Sequence, residues 1–72
     1  MNELDFQDIV SKIVRNAMDV SVEAKKNPED SFLGGRYIAY YEVLDTIKNQ
    51  LIVREADLSE YGLDINLEKE YL

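Results

Sequence analysis

Two sets of apolar residues in this chain are mirror images about Pro28, and both have the spacing of a buried helical stripe. The first set is Phe6, Val10, Ile13, Ala17, Val20 and Ala24, and the second is Leu33, Tyr37, Tyr40, Leu44, Ile47 and Leu51. Within each set, steps of three and four residues alternate, which is the repeat of one face of an α-helix. Paired from the outside in, the residue numbers of every pair add up to 57. The pattern predicts an antiparallel hairpin of two helices with a fixed register.

The hairpin is the main part of a predicted all-α single domain, 1–72. We expect helix 1 at about 4–26, a turn at 27–30 and helix 2 at about 31–54, because Pro28 interrupts the helical repeat. Both Asn27 and Ser31 are candidate N-caps of helix 2. A short helix is expected at 57–61, inside an acidic tail that runs over 55–72, because Gly62 is a natural helix stop.

A second set of apolar residues flanks the seam of the hairpin and has no partner within it. Its members are Ile9, Val14, Met18 and Val22 on helix 1, and Ile38, Tyr41, Val43 and Ile52 on helix 2. Two helices alone cannot bury so wide an apolar stripe, so either the C-terminal tail or a second copy must cover it. We expect a homodimer that forms a four-helix bundle, since small domains need additional burial. The candidate self-association face is Val14, Met18, Ile38 and Tyr41.

The composition of the 72 residues excludes several kinds of chemistry and favours certain partners. With no Cys and no His, the chain lacks disulfides, thiolate ligands and the commonest general base. The net charge of −7 opposes binding to nucleic acid and to anionic membranes, so a basic protein is the expected kind of charged partner. A cytoplasmic location is expected, because the first residues lack the basic start of a signal peptide. The candidate acidic partner surface is Glu55, Asp57, Glu60, Asp64, Glu68 and Glu70.

Two acidic groups have spacings related to those of metal sites. Residues 57–68 have the length and central glycine of a calcium-binding EF-hand loop, but Tyr61 and Ile65 stand where oxygen ligands belong. The other group is Asp19, Glu23, Glu42 and Asp45, which resembles the carboxylate clusters of MazG-type all-α nucleotide pyrophosphohydrolases. That resemblance implies magnesium-dependent hydrolysis, and it requires an oligomer to bring the four side chains together. We assign no metal, cofactor or catalytic residue from these patterns.

Helix 2 contains two further local features. Gly34 and Gly35 lie in its first turns, where each costs about 1 kcal/mol relative to alanine, so we expect a close approach of another backbone or ring there. The stretch 35–44 resembles a G-R-x-x-A-Y-Y-E-V-L segment of small uncharacterised bacterial proteins of helical-hairpin form. This resemblance implies a bacterial or phage source and no particular activity.

These features together favour a non-enzymatic protein–protein interaction or regulatory module. The first alternative is an acidic inhibitor that imitates nucleic acid and meets a basic groove through the tail. A magnesium-dependent hydrolase is the second alternative. Salt dependence separates the first two, because charge-driven binding weakens steeply with ionic strength and apolar binding does not.

Overall fold

The computed structural model describes residues 2–67 and residue 69, and in that part of the chain the regular structure is entirely helical. Helix α1 spans Glu3–Lys26, helix α2 spans Ser31–Val53, and a 3₁₀ turn spans Leu58–Tyr61. The predicted all-α class is therefore confirmed. The short helix expected at 57–61 is this single 3₁₀ turn. Assembly into a four-helix bundle stays a prediction.

Each long helix begins at a side chain that accepts hydrogen bonds from its first turn. Asn2 and Asp5 form a capping box at the start of α1, with the Asp5 amide 2.8 Å from Asn2 Oδ1. At α2, Asp30 Oδ1 accepts from the amides of Phe32 and Leu33. The cap of α2 is therefore Asp30 and neither of the two predicted residues. Asn27 instead closes α1, since its side-chain amide donates to the Glu23 carbonyl at 3.0 Å.

The two helices lie side by side and bury the inner part of the predicted seam. Along α1 the buried residues are Val10, Val14, Ala17, Val20 and Ser21, and along α2 they are Leu44 and Leu51. At the end away from the turn, which we call the free end, Phe6 and Leu51 line the same surface groove, as their pairing requires. The seam is wider than expected on one side, because Val14 and Ser21 are also buried.

The C-terminal segment, residues 55–67, packs on one side of the hairpin at the free end. Tyr61, Leu63 and Leu67 are buried there and belong to the same core cluster as Val10 and Leu44. The Tyr61 ring meets that of Phe6 edge-on, with the centroids 5.7 Å apart. Of the two proposed covers for the second apolar set, the tail is therefore one, and it reaches only part of that set.

Polar contacts fasten the C-terminal segment to both helices. The Gln7 side chain of α1 donates to a Glu60 carboxylate oxygen at 2.8 Å. The Lys48 amine of α2 donates to the Ile65 carbonyl and is partly buried there. The segment thus bridges α1 and α2 through side-chain packing and through hydrogen bonds.

After α2 the chain changes direction at two residues with left-handed backbone conformation, one before the 3₁₀ turn and one after it. Glu55 has a φ of 57°, and the Ala56 amide donates to the Leu51 carbonyl across it. Gly62 has a φ of 73°, and the Leu63 amide donates to the Leu58 carbonyl in the same way. Each of these hydrogen bonds belongs to a Schellman motif, which ends a helix and redirects the chain.

Candidate functional surfaces

The structure separates the four residues of the candidate self-association face. Met18 and Ile38 are exposed, by 56% and 49%. Tyr41 is half-buried and packs against the core cluster. Val14 is only 6% exposed, because it lies in the core with the C-terminal segment, so its assignment to a free surface is wrong.

The side of the hairpin that carries the C-terminal segment, which we call the covered side, remains partly bare towards the turn. Val14, Met18 and Val22 are four residues apart and form one row along α1. The first is buried and the other two are exposed, so coverage stops between Val14 and Met18. On α2, Ile38 is exposed one turn before the half-buried Tyr41. The predicted face therefore reduces to a small patch near the turn.

The opposite side of the hairpin, which we call the bare face, has apolar residues at its middle and towards the free end. A row at steps of three and four runs along α2 through Arg36, Tyr40, Val43, Ile47 and Gln50, and ends at the C-cap residue Arg54. Two open apolar grooves follow this row. One, of about 190 Å³, is lined by Arg36, Ala39, Tyr40 and Val43. The other, of about 340 Å³, is lined by Phe6, Thr46, Ile47, Gln50, Leu51 and Arg54.

Helix α1 contributes a matching row to the bare face. Phe6 opens this row, since it lines the free-end groove together with Ile47 and Arg54. Steps of three and four continue it through Ile9 and Ile13, of which Ile9 is exposed and Ile13 half-buried. Sequence reasoning identified Ile9 and Val43 as apolar residues beside the seam but did not group them. The sequence does contain one indication of this face, which is the row at steps of three and four between Arg36 and Arg54.

The acidic partner surface is exposed where the structure describes it. Glu55, Asp57, Glu60 and Asp64 are all exposed, whereas Glu68 and Glu70 lie outside the described residues. Asp57 has a local structural role, because its Oδ1 accepts from the Ser59 hydroxyl at 2.7 Å and from the Ser59 amide at 3.0 Å. These two hydrogen bonds, the hydroxyl first, hold the pKa of the Asp57 carboxyl below its ordinary value.

A polar groove of about 590 Å³ runs between α2 and the C-terminal segment. It is lined by Asp45, Lys48, Asn49, Leu58, Asp64, Ile65, Asn66 and Leu67. Its one lysine is already hydrogen-bonded to the Ile65 carbonyl. The groove thus offers two carboxylates, from Asp45 and Asp64, beside a cation that holds the segment in place.

The described residues do not bring together a metal-ligand set. Among residues 2–67 and 69, no group of three or more His, Cys, Asp or Glu side chains could hold a metal ion. The quartet of Asp19, Glu23, Glu42 and Asp45 does not form such a group within one chain. In the loop that begins at residue 57, one carboxylate oxygen of Asp57 caps the 3₁₀ turn by accepting from the Ser59 amide.

Among the residues that the structure describes, the paired glycines of α2 have no close neighbour. A Cβ atom placed on Gly34 or Gly35 would meet nothing within 4 Å. The expected tight packing at these positions is therefore absent from the hairpin itself.

Comparison with protein families, with curated proteins and with solved structures finds no significant match for this chain. Within the described residues, neither helix has the length and apolar character needed to cross a membrane.

Proposed function

We propose that this protein is a non-enzymatic protein–protein interaction module that self-associates as a homodimer in the cytoplasm. The observation that carries the proposal is the amount of apolar side chain left at the surface. Within residues 2–67 and 69, the exposed large apolar residues are Leu4, Phe6, Ile9, Met18, Val22, Phe32, Ile38, Val43, Ile52 and Val53. Some of this surface is contiguous, as in the two apolar grooves of the bare face, and contiguous exposed apolar surface is typical of protein contact sites.

A second copy is the simplest partner for such a surface. Domains of this size bury only about 60% of the surface of their unfolded chain, and association adds to that burial. A four-helix bundle made of two hairpins would cover apolar rows of both helices at once. The net charge of −7 opposes self-association at low salt, so added salt should strengthen the dimer overall.

Sedimentation equilibrium or light scattering over a concentration series tests this proposal. We expect a mass of twice 8.3 kDa at micromolar and higher protein concentrations. A single species of 8.3 kDa throughout, including at high salt, would contradict self-association. The helical circular dichroism should be recorded on the same samples, so that unfolding is not mistaken for dissociation.

An acidic inhibitor of a basic partner is the second candidate, and exposure of the tail carboxylates favours it. Glu55 and Asp64 are exposed, and neither has an ion-pair partner among residues 2–67 and 69. Binding to a basic protein through these groups should weaken strongly as ionic strength rises. Replacing Glu55 and Asp64 by Gln and Asn should weaken such binding, while the same exchanges at Glu29 and Asp8 serve as the charge-matched control.

A further inference from the structure

Among residues 2–67 and 69, the C-terminal segment packs on the covered side, and the bare face is left open to a second copy lying along both helices. The C-terminal segment occupies the covered side at the free end, where Tyr61, Leu63 and Leu67 are inserted into the core. On the bare face, apolar side chains extend from Phe6 and Ile47 at the free end to Tyr40 towards the turn. A face two helices wide and about 35 Å long is close to the roughly 800 Å² that each partner contributes to a stable complex.

Charged residues stand at the corners of the bare face, with arginines on one helix and carboxylates on the other. Arg36 on α2 and Arg54, the C-cap of α2, mark the two ends of the apolar row, and both are exposed. On α1, Asp5 lies one turn before Ile9, and Glu23 lies at the other end of the same row; both are exposed. Within residues 2–67 and 69, none of these four side chains forms an ion pair.

The register of the hairpin places these charges at matching heights. The turn joins Lys26 to Ser31, and these two residue numbers add up to 57. In an antiparallel hairpin, each residue of α1 is therefore level with the residue of α2 for which the two numbers have the same sum. Arg36 is then level with Ser21, and Arg54 with Glu3. Each arginine therefore lies within two residues, or about 3 Å of helix rise, of the height of an acidic corner residue, Glu23 or Asp5.

Two copies that meet through this face can be related by a two-fold axis along the hairpin or across it. An axis along the hairpin lays α1 over the partner's α2, with both turns at the same end. Glu23 then faces the partner's Arg36, and Asp5 faces the partner's Arg54. An axis across the hairpin lays α2 over the partner's α2 in opposite directions, so Arg36 faces the partner's Arg54 and like charges meet at every corner.

We infer that two copies of this chain associate through the bare face with their turns at the same end, α1 of each copy lying over α2 of the other. The inference rests on the proposed self-association and adds the face, the orientation and the charge pairs. Ile9, Ile13, Tyr40, Val43 and Ile47 form the apolar centre of the contact. Glu23, Arg36, Asp5 and Arg54 fix its orientation.

Charge exchange tests the orientation. Either Glu23→Arg or Arg36→Glu alone should weaken the dimer by roughly tenfold in Kd, because each change places two like-charged pairs in the two-fold contact. The double variant should return to within about threefold of the native Kd, because both pairs are restored with reversed sign. With the axis across the hairpin, Arg36→Glu would instead face an arginine and tighten the dimer.

An apolar-to-acidic pair of variants tests the choice of face. Val43 on the bare face and Ile38 on the covered side have the same exposure, 49%, and both lie in the middle turns of α2. Val43→Asp should abolish the dimer at micromolar concentration, whereas Ile38→Asp should leave its Kd within about threefold, since a buried unpaired charge is costly and an exposed one is not. Circular dichroism of both variants checks that the helices persist.

Distances between spin labels provide a readout that does not depend on affinity. The chain has no cysteine, so Glu29→Cys in the exposed turn introduces a single labelling site. Turns at the same end predict a distance of about 20–30 Å across two helix layers. The opposite orientation separates the turns by the length of the molecule, about 40 Å or more.

The outcomes of these experiments distinguish the inference from the function on which it rests. A protein that is monomeric at every concentration overturns both. A dimer that Ile38→Asp disrupts and Val43→Asp does not leaves self-association standing and overturns the bare face. A dimer with a label distance near 40 Å, or one tightened by Arg36→Glu, overturns the orientation.

Discussion

Leu63→Ala is the sharpest test of how the C-terminal segment contributes to stability. Leu63 is fully buried, at 0% exposed, and lies in the core cluster with Tyr61 and Leu67. Removing such a side chain costs about 2–5 kcal/mol, depending on how far the neighbours relax into the space. A chain of this size has an unfolding free energy of about 4–11 kcal/mol, so the variant should lose about a fifth of its stability or more. At about 4–8 °C per kcal/mol, the Tm should fall by at least about 8 °C.

The assay is urea unfolding followed by helical circular dichroism, at one fixed protein concentration because association adds to apparent stability. Leu4→Ala is the matched control, since it removes the same atoms from a side chain that is 72% exposed. It should change the unfolding free energy by no more than about 0.5 kcal/mol. If Leu63→Ala were as mild as Leu4→Ala, the segment would not be part of the core. A lower m-value in Leu63→Ala would show that the segment detaches before the hairpin unfolds.

Three further substitutions test local features of the chain. Gly35→Ala should stabilise the protein by about 1 kcal/mol in thermal unfolding, because the helix gains propensity and the new Cβ meets nothing within 4 Å; a loss of stability would indicate an unseen close contact. Gly62→Ala should destabilise by about 1–2 kcal/mol, because the φ of 73° is costly for any residue with a Cβ; Gly34→Ala, at a helical φ, is its control. Asp57→Asn should lower the Tm at neutral pH, because the Ser59 hydrogen bonds lower the pKa of Asp57 and so stabilise the folded state while the carboxylate is ionised. That stabilisation is present above the unfolded pKa of about 3.9 and is lost as the pH falls through the lower pKa of the folded state. The Tm difference between Asp57→Asn and the native protein should therefore vanish in acid. A Tm difference that persisted there would come from something other than the charge.

The mirrored spacing was sufficient to predict the two helices, since α-helical periodicity is a local property of the sequence. It did not predict the burial of Val14, because that depends on where a distant segment returns to the hairpin. The cap of α2 was assigned to the wrong residues because Asn27, Asp30 and Ser31 are all capable N-caps and only backbone geometry separates them.

The candidate surfaces were harder to predict than the helices. The division of the flanking apolar residues into a covered side and a bare face follows from the packing of Tyr61, Leu63 and Leu67, which no periodicity in the sequence indicates. The arginines at positions 36 and 54 became informative only when the register of the hairpin placed them level with acidic residues of α1. A sequence gives the spacing of charges along one helix, whereas their relation across two helices requires the fold.

The left-handed turn at Glu55 is a position at which cleavage of the chain would separate the core into two parts. It lies in an exposed stretch between α2 and a segment whose side chains complete the hairpin core. A peptide bond broken beside Glu55 would yield two pieces, each holding one part of a single apolar cluster. The hairpin would expose Val10, Val14 and Leu51, and the short peptide would carry the tyrosine and leucines that cover them. Such a cut would place the two halves of one core on separate chains, and only non-covalent packing would then connect them.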